Sequence, residues 1–178
     1  MSQQHHLPCL LLDADVIIFA HVVDIWDFLC SSCTLATGSI VANEESIYYV
    51  SSESGKHIDI NCASIQAACL IHELKASDIG TVFRELDKIL TPDEVRALDV
   101  GEAEIISLFY HGILEEELFC TGDGAAIKMM AILGFDNKCI SLENVLTTKQ
   151  HPDPPDIPWE YTDRFVRHHI SEGKKLIN

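Results

Sequence analysis

This 178-residue chain has no long apolar run. The first, at residues 7–12, is six residues long before Asp13 and Asp15 interrupt it. A spanning helix needs roughly 20 apolar residues, so no membrane segment is expected. Basic residues are also scarce. Twelve Lys and Arg stand against 28 Asp and Glu, a net charge of −16 with His neutral. Such a chain repels polyanions at long range, which excludes a nonspecific nucleic-acid coating role. It does not exclude a nuclease, because bound cations reverse the local sign. The few bases are unevenly spread. Residues 1–60 hold only Lys56, whereas 151–178 hold Arg164, Arg167, Lys174 and Lys175, making the C-terminal segment the expected helper of any bound polyanion. Seven cysteines, an odd number, exclude a complete intramolecular disulfide framework. The first six residues carry no Lys or Arg and make a poor signal peptide, so a cytoplasmic location with reduced thiols is expected. Cys30-Ser-Ser-Cys33 is a lone CxxC with no second pair or close His-x-His, and it reads as small buried thiols where a helix runs into a strand. There is no internal repeat and no low-complexity tract.

What is present is an ordinary globular composition, 47% apolar and 22% charged. Residues 1–150 are expected to form one domain, and 151–178 a proline-rich linker with a C-terminal helix. Residues 7–12 read as a fully buried strand and 16–29 as a helix. A second strand is expected at 34–37, then a helix at 39–47. A hairpin, expected as an insertion at about 47–61, flanks the turn-rich stretch Ser-Ser-Glu-Ser-Gly-Lys. Residues 64–75 and 77–90 carry helical patterns. Thr91-Pro92-Asp93-Glu94 is a helix start, and Asp99-Val-Gly-Glu102 is a capping box that opens a helix at 103–111. Strands at 118–121 and 139–142 bracket a helix at 125–133 closed by Gly134. Alternation of strands and helices argues for an α/β layered fold with a mainly parallel sheet.

In such folds ligands sit beyond the carboxyl ends of the strands. Asp13 ends one strand and Asp123, flanked by glycines, ends another. Carboxylates at neighbouring strand ends repel unless a cation lies between them, and an all-oxygen set suits Mg²⁺ or Mn²⁺ rather than zinc. Glu102 and Glu104 open a helix, where a capping box and the helix dipole also account for acids. Positions two apart face different sides of a regular helix, so both reach one site only if the turn is irregular. Ile40-Val-Ala-Asn-Glu44-Glu45 leads an apolar pair into two acids.

The order of these pieces resembles the PIN-domain nucleases: Leu-Leu-Asp13-Ala-Asp15-Val, Ile-Val-Ala-Asn-Glu44, Leu-Asp-Val-Gly-Glu102-Ala-Glu104 and Cys-Thr-Gly-Asp123. The resemblance spans roughly residues 7–146, and the Gly-Glu-Ala-Glu stretch also looks like the metal-binding segment of flap-type nucleases. It implies a three-layer α/β/α sandwich, an acidic pocket for one or two Mg²⁺ or Mn²⁺ ions, and phosphodiester hydrolysis, usually of RNA. Many members are the toxin half of a toxin–antitoxin pair. Carried over by position, Asp13, Glu44, Glu102 and Asp123 are the catalytic acids, with Glu45 replacing Glu44 if the helix shifts by one. Glu104 is an extra candidate ligand, and Asp15 and Thr121 support the acids. Lys128, one turn beyond Asp123, is the candidate substrate contact. A basic antitoxin-like protein or a second copy is the expected partner. The chain departs from the pattern in lacking a base just after Asp123, in its longer middle and in its acidity.

Two alternatives stand beside this reading. Asp13 and Asp15 also fit the first motif of haloacid-dehalogenase-type phosphatases, although Ile127 and Lys128 occupy positions where their last motif wants an acid. A non-catalytic module of the same fold, binding a protein partner through the Tyr48-Tyr49 edge or the Trp159 helix, is the other. The pairs His5-His6 and His168-His169 read as solvated, Tyr48-Tyr49 and Trp159 as covers for an apolar edge, and Met129-Met130 as core.

Overall fold

The computed structural model describes residues 7–46, 48–51, 54–91 and 98–177. Its centre is a five-stranded parallel sheet flanked by helices, in the α/β layering expected from the sequence. Strands β1 (Leu10–Leu12) and β2 (Leu35–Gly38) are short and fully buried, which parallel strands covered on both faces require. β1 lies in the middle. It pairs with β2 on one side and β6 (Leu118–Cys120) on the other, while β5 (Cys69–His72) and β7 (Cys139–Ile140) form the edges. The register sets Leu12 opposite Cys120, so the chain leaves β1 and β6 side by side. β3 (Tyr48–Val50) and β4 (His57–Asp59) form the separate antiparallel hairpin, with Tyr48 stacked on His57 at 4.5 Å.

Several expected elements are redrawn. The single helix at 16–29 is two, α1 (Ala14–Val22) and α2 (Trp26–Ser32), broken where Asp24 takes φ = +60°, a left-handed conformation that Asp tolerates. The helix expected at 64–75 stops early. α3 (Cys62–Ala68), capped by Asn61, gives way to β5, which extends the sheet beyond β2. Where a helix was expected at 39–47, Val41–Glu45 wind into a π-helical turn, in which the Ser46 N–H reaches the Val41 carbonyl at 3.0 Å. α4 (Ala76–Leu86) carries the expected apolar stripe on Ile79, Val82 and Leu86. The helix start at 92–94 lies outside the described residues.

α5 (Val100–Tyr110) is the central helix, buried continuously from Gly101 to Phe109. It is apolar nearly all round, as a helix enclosed on every side must be. Its capping box forms as read: the Glu102 N–H donates to Asp99 Oδ1 at 2.8 Å and the Asp99 N–H donates to Glu102 Oε2 at 3.1 Å. α6 (Gly124–Ile132) follows β6 and buries Met129 and Met130, and Gly134 ends the segment at φ = +86°. α7 (Leu142–Thr148), capped by Ser141, was not foreseen from the sequence. After the proline-rich stretch, a 3₁₀ turn at Trp159–Tyr161 leads into α8 (Asp163–Leu176). Phe165 and Val166 of α8 pack on Ile127 of α6. All seven cysteines are free thiols. Among the described residues no helix is long and apolar enough to cross a membrane. Tyr48 and Trp159 stay 42% and 49% exposed, while Trp159 sets its ring edge-on to the buried Phe165 at 5.9 Å and Tyr49 packs against the core.

Candidate metal centre

The carboxyl ends of β1 and β6 open into a cleft of about 370 Å³. Six carboxylates line it: Asp13, Asp15, Glu45, Asp99, Glu102 and Asp123, with Ala14, Ile18 and Gly122 completing the wall. Each acid is placed by a local rule. Asp13 caps α1, its Oδ1 accepting the Ala14 N–H at 2.8 Å, and its Oδ2 accepts the Thr121 hydroxyl at 2.7 Å across the strand pair. The same hydroxyl accepts the Asp123 N–H at 2.9 Å. One threonine thus ties the first and last acids together. Asp123 caps α6 through the N–H groups of Ala125 and Ala126. Asp15 Oδ2 accepts the Gly122 N–H at 2.8 Å. A side chain at Gly122 would collide with that oxygen, since its Cβ would lie 2.3 Å away.

Glu102 enters from the first turn of α5, where it closes the capping box and lines the cleft. Glu104 does not join it. α5 is regular from its start, so a residue two positions on faces another side. Glu104 is fully buried between Ser39, Ile40 and Leu74. It accepts the Ser39 hydroxyl at 2.7 Å and the N–H groups of Ile40 and Leu74 at 2.9 and 3.3 Å. Its role is to pin the exits of β2 and β5 to the central helix, not to bind a cation in the cleft.

The second acid moves by one position. Glu44 is exposed, and Glu45 lines the cleft, with Oε1 accepting the Gly101 N–H at 3.0 Å. The cause is the π-turn: a five-residue bond in place of four rotates the next side chains round the axis. Lys128 is also displaced from its expected role. It is absent from the cleft wall and lies on the α6 face covered by α8, 3.9 Å from Glu172. Of the C-terminal bases, Arg167 pairs with Asp163, Lys174 lies 2.5 Å from Asp136, and Arg164 sits 5.5 Å over the Trp159 ring.

The electrostatics follow from crowding. Burial pushes the Glu102 carboxyl up to about 9, and the charges of Asp13, Asp123 and Asp99 push the same way. Asp15 is raised to about 7, mainly by burial, against the pull of the Gly122 and Val16 N–H groups. Asp13 is raised well above the usual carboxylate range by burial and by Asp15, and Glu45 is raised by burial and by Asp99. Asp15 Oδ1 and Glu45 Oε2 are buried with no hydrogen-bond partner. Oxygen-only donors, crowded like charges and two orphaned carboxylate oxygens fit a hard divalent cation. No three cleft carboxylates among the described residues bring oxygens within 4.8 Å of one another.

Two participants escaped the sequence reading. Asp99 was read as a cap alone, yet it faces the cleft beside Glu102. The signal was there, because a capping box at a strand-end cleft places two acids side by side. Tyr161 had no local signal. Its ring stacks on Phe19 at 4.6 Å, its hydroxyl donates to the Asp15 carbonyl at 3.3 Å, and its edge lies where a Gly122 Cβ would come within 2.6 Å. In comparisons with known proteins, the chain matches no family model, no curated protein and no solved structure.

Proposed function

We propose that this protein is a divalent-metal-dependent nuclease of PIN-like fold, with RNA as its substrate. The observation that carries the reading is the convergence of six carboxylates in one cleft at the carboxyl ends of adjacent parallel strands. Asp13, Asp123, Glu102 and Glu45 are the residues that would hold Mg²⁺ or Mn²⁺, with Asp15 and Asp99 behind them. When bound, the ion supplies a Lewis acid that activates a water and offsets charge on the leaving oxygen. The chain's own contribution is placement. Helix caps fix Asp13 and Asp123, the Thr121 hydroxyl links them, and Tyr161 and Gly122 hold the start of α1 against β6. A carboxylate freed of its proton is available as general base.

The −16 charge makes RNA binding depend on the cation as well, and it favours a basic partner of the antitoxin type. The test is cleavage of a labelled single-stranded RNA across salt, in Mn²⁺ and in chelator. Cleavage in Mn²⁺ that falls at least about a hundredfold in Asp13→Asn, with near-complete loss in chelator, supports the proposal. Cleavage indifferent to metal, or tight RNA binding in chelator, overturns it. A second reading has its own observation. The edge strand β5 presents Leu70 and Ile71 to solvent, 59% and 37% exposed, as a protein-binding module would. It predicts no binding of Mg²⁺ or Mn²⁺ at about millimolar concentration.

A further inference from the structure

We propose that His168, His169 and Glu172 on α8 form a site for a borderline transition-metal ion of the Zn²⁺ class. This site is independent of the nuclease reading. The three residues are spaced i, i+1 and i+4, so Glu172 lies one turn beyond both imidazoles and faces them. Their ligand atoms all lie within 4.8 Å of one another, the one such group among the described residues. His169 Nδ1 is 2.9 Å from Glu172 Oε2, His168 Nε2 is 3.7 Å from Glu172 Oε1, and the two rings are 5.0 Å apart. Adjacent imidazoles sharing one carboxylate satisfy one another poorly. His169 Nδ1 is enclosed yet lacks an aligned hydrogen bond, despite the nearby carboxylate oxygen.

The donor set decides the ion. Two nitrogens and one oxygen suit Zn²⁺, Co²⁺ or Ni²⁺ and are a poor match for the Mg²⁺ expected in the all-oxygen cleft. The scaffold holds the set in place. The His169 ring sits edge-on to Phe165 at 4.4 Å and against Gly124, where an added Cβ would come within 2.6 Å of it. His169 is therefore wedged between α8 and the start of α6. His168 is the exposed ligand through which an ion would enter. Because one helix supplies all three ligands, the fourth position stays open to water or an anion, the arrangement of a reactive or exchangeable zinc site rather than a closed structural one. Lys128, 3.9 Å from Glu172 Oε2, competes for the carboxylate and limits affinity.

The test is a Zn²⁺ titration of the full chain in excess Mg²⁺, which competes for all-oxygen sites. Binding is followed by histidine ring-proton resonances and by competition with a chromophoric chelator. One equivalent of Zn²⁺ should shift the His168 and His169 signals, and the double variant His168→Ala, His169→Ala should lose at least about tenfold in affinity. Glu172→Gln, which keeps the helix and removes the charged donor, should lose affinity in the same direction. Ring signals unmoved at one equivalent would overturn the proposal. So would a double variant that binds Zn²⁺ as tightly as the parent, since the ion would then sit on cysteine thiols or cleft acids.

Discussion

Glu102 and Glu104 stand two residues apart on the same buried helix, yet they meet opposite surroundings. Glu104 is fully enclosed and receives three donors, from Ser39, Ile40 and Leu74. Glu102 receives one, from Asp99, and faces Asp13 and Asp123, whose charges help push it to about 9. A buried acid with its donors in place is part of the scaffold. A buried acid short of donors and surrounded by other acids is a place for a cation. The difference is set by helical geometry, because a regular turn cannot aim both residues at one point.

The contrast can be broken by substitution. The largest effect is expected at Glu104. Glu104→Ala strands the Ser39 hydroxyl and the N–H groups of Ile40 and Leu74, costing at least ~3 kcal/mol in chemical denaturation, with no recovery on adding metal. Glu102→Gln should act in the opposite sense. A carboxyl whose folded pKa is raised holds its proton more tightly in the folded state. Stability is therefore full below the ordinary value of 4.5 and is lost as pH rises toward about 9. The metal-free parent should lose at least ~2 kcal/mol across that window, since each pKa unit is worth about 1.4 kcal/mol. Glu102→Gln should flatten the slope and melt higher than the parent at alkaline pH, and Mg²⁺ should reduce the slope in the parent. A parent whose stability rises across that window would contradict the crowding.

Gly101→Ala sharpens the comparison from the cleft side. Alanine in a helix normally gains up to ~1 kcal/mol over glycine. Here its Cβ would lie 1.9 Å from Glu45 Oε2 and 2.8 Å from Val41, so a loss of about 1 kcal/mol is expected, with weakened metal binding. Lys128→Ala should do least. Its 3.9 Å contact with Glu172 is partly exposed, so a change under ~0.5 kcal/mol in thermal melting is expected, with RNA cleavage close to parental.

Much of this was legible in the residues. Leu10–Leu12 running into Asp13, and the Thr-Gly-Asp123-Gly sequence after Leu118–Cys120, announced two buried parallel strands with acids at their ends, and the register sets them side by side. Asp99 and Glu102 announced their capping box. The failures have separate causes. Residues 64–75 looked continuously helical because Cys69-Leu-Ile-His72 is a solvent-facing edge strand, which carries no alternation to betray it. Glu44 stood ahead of Glu45 because the resemblance carried it over by position, and the π-turn makes the one-residue shift that brings Glu45 to the cleft instead. Lys128 is one turn past Asp123 in sequence, but α8 claims that face of the helix, and packing between distant segments leaves no local mark.

The most direct test of the central claim is a calorimetric titration of Mn²⁺ into the parent, Glu45→Gln and Glu44→Gln. The π-turn aims these neighbours differently, Glu45 into the cleft and Glu44 to solvent. The cleft account predicts that Mn²⁺ binds the parent, that Glu45→Gln weakens binding at least about tenfold, and that Glu44→Gln binds as the parent does. No binding to the parent at about millimolar Mn²⁺, or equal binding to all three, would contradict it.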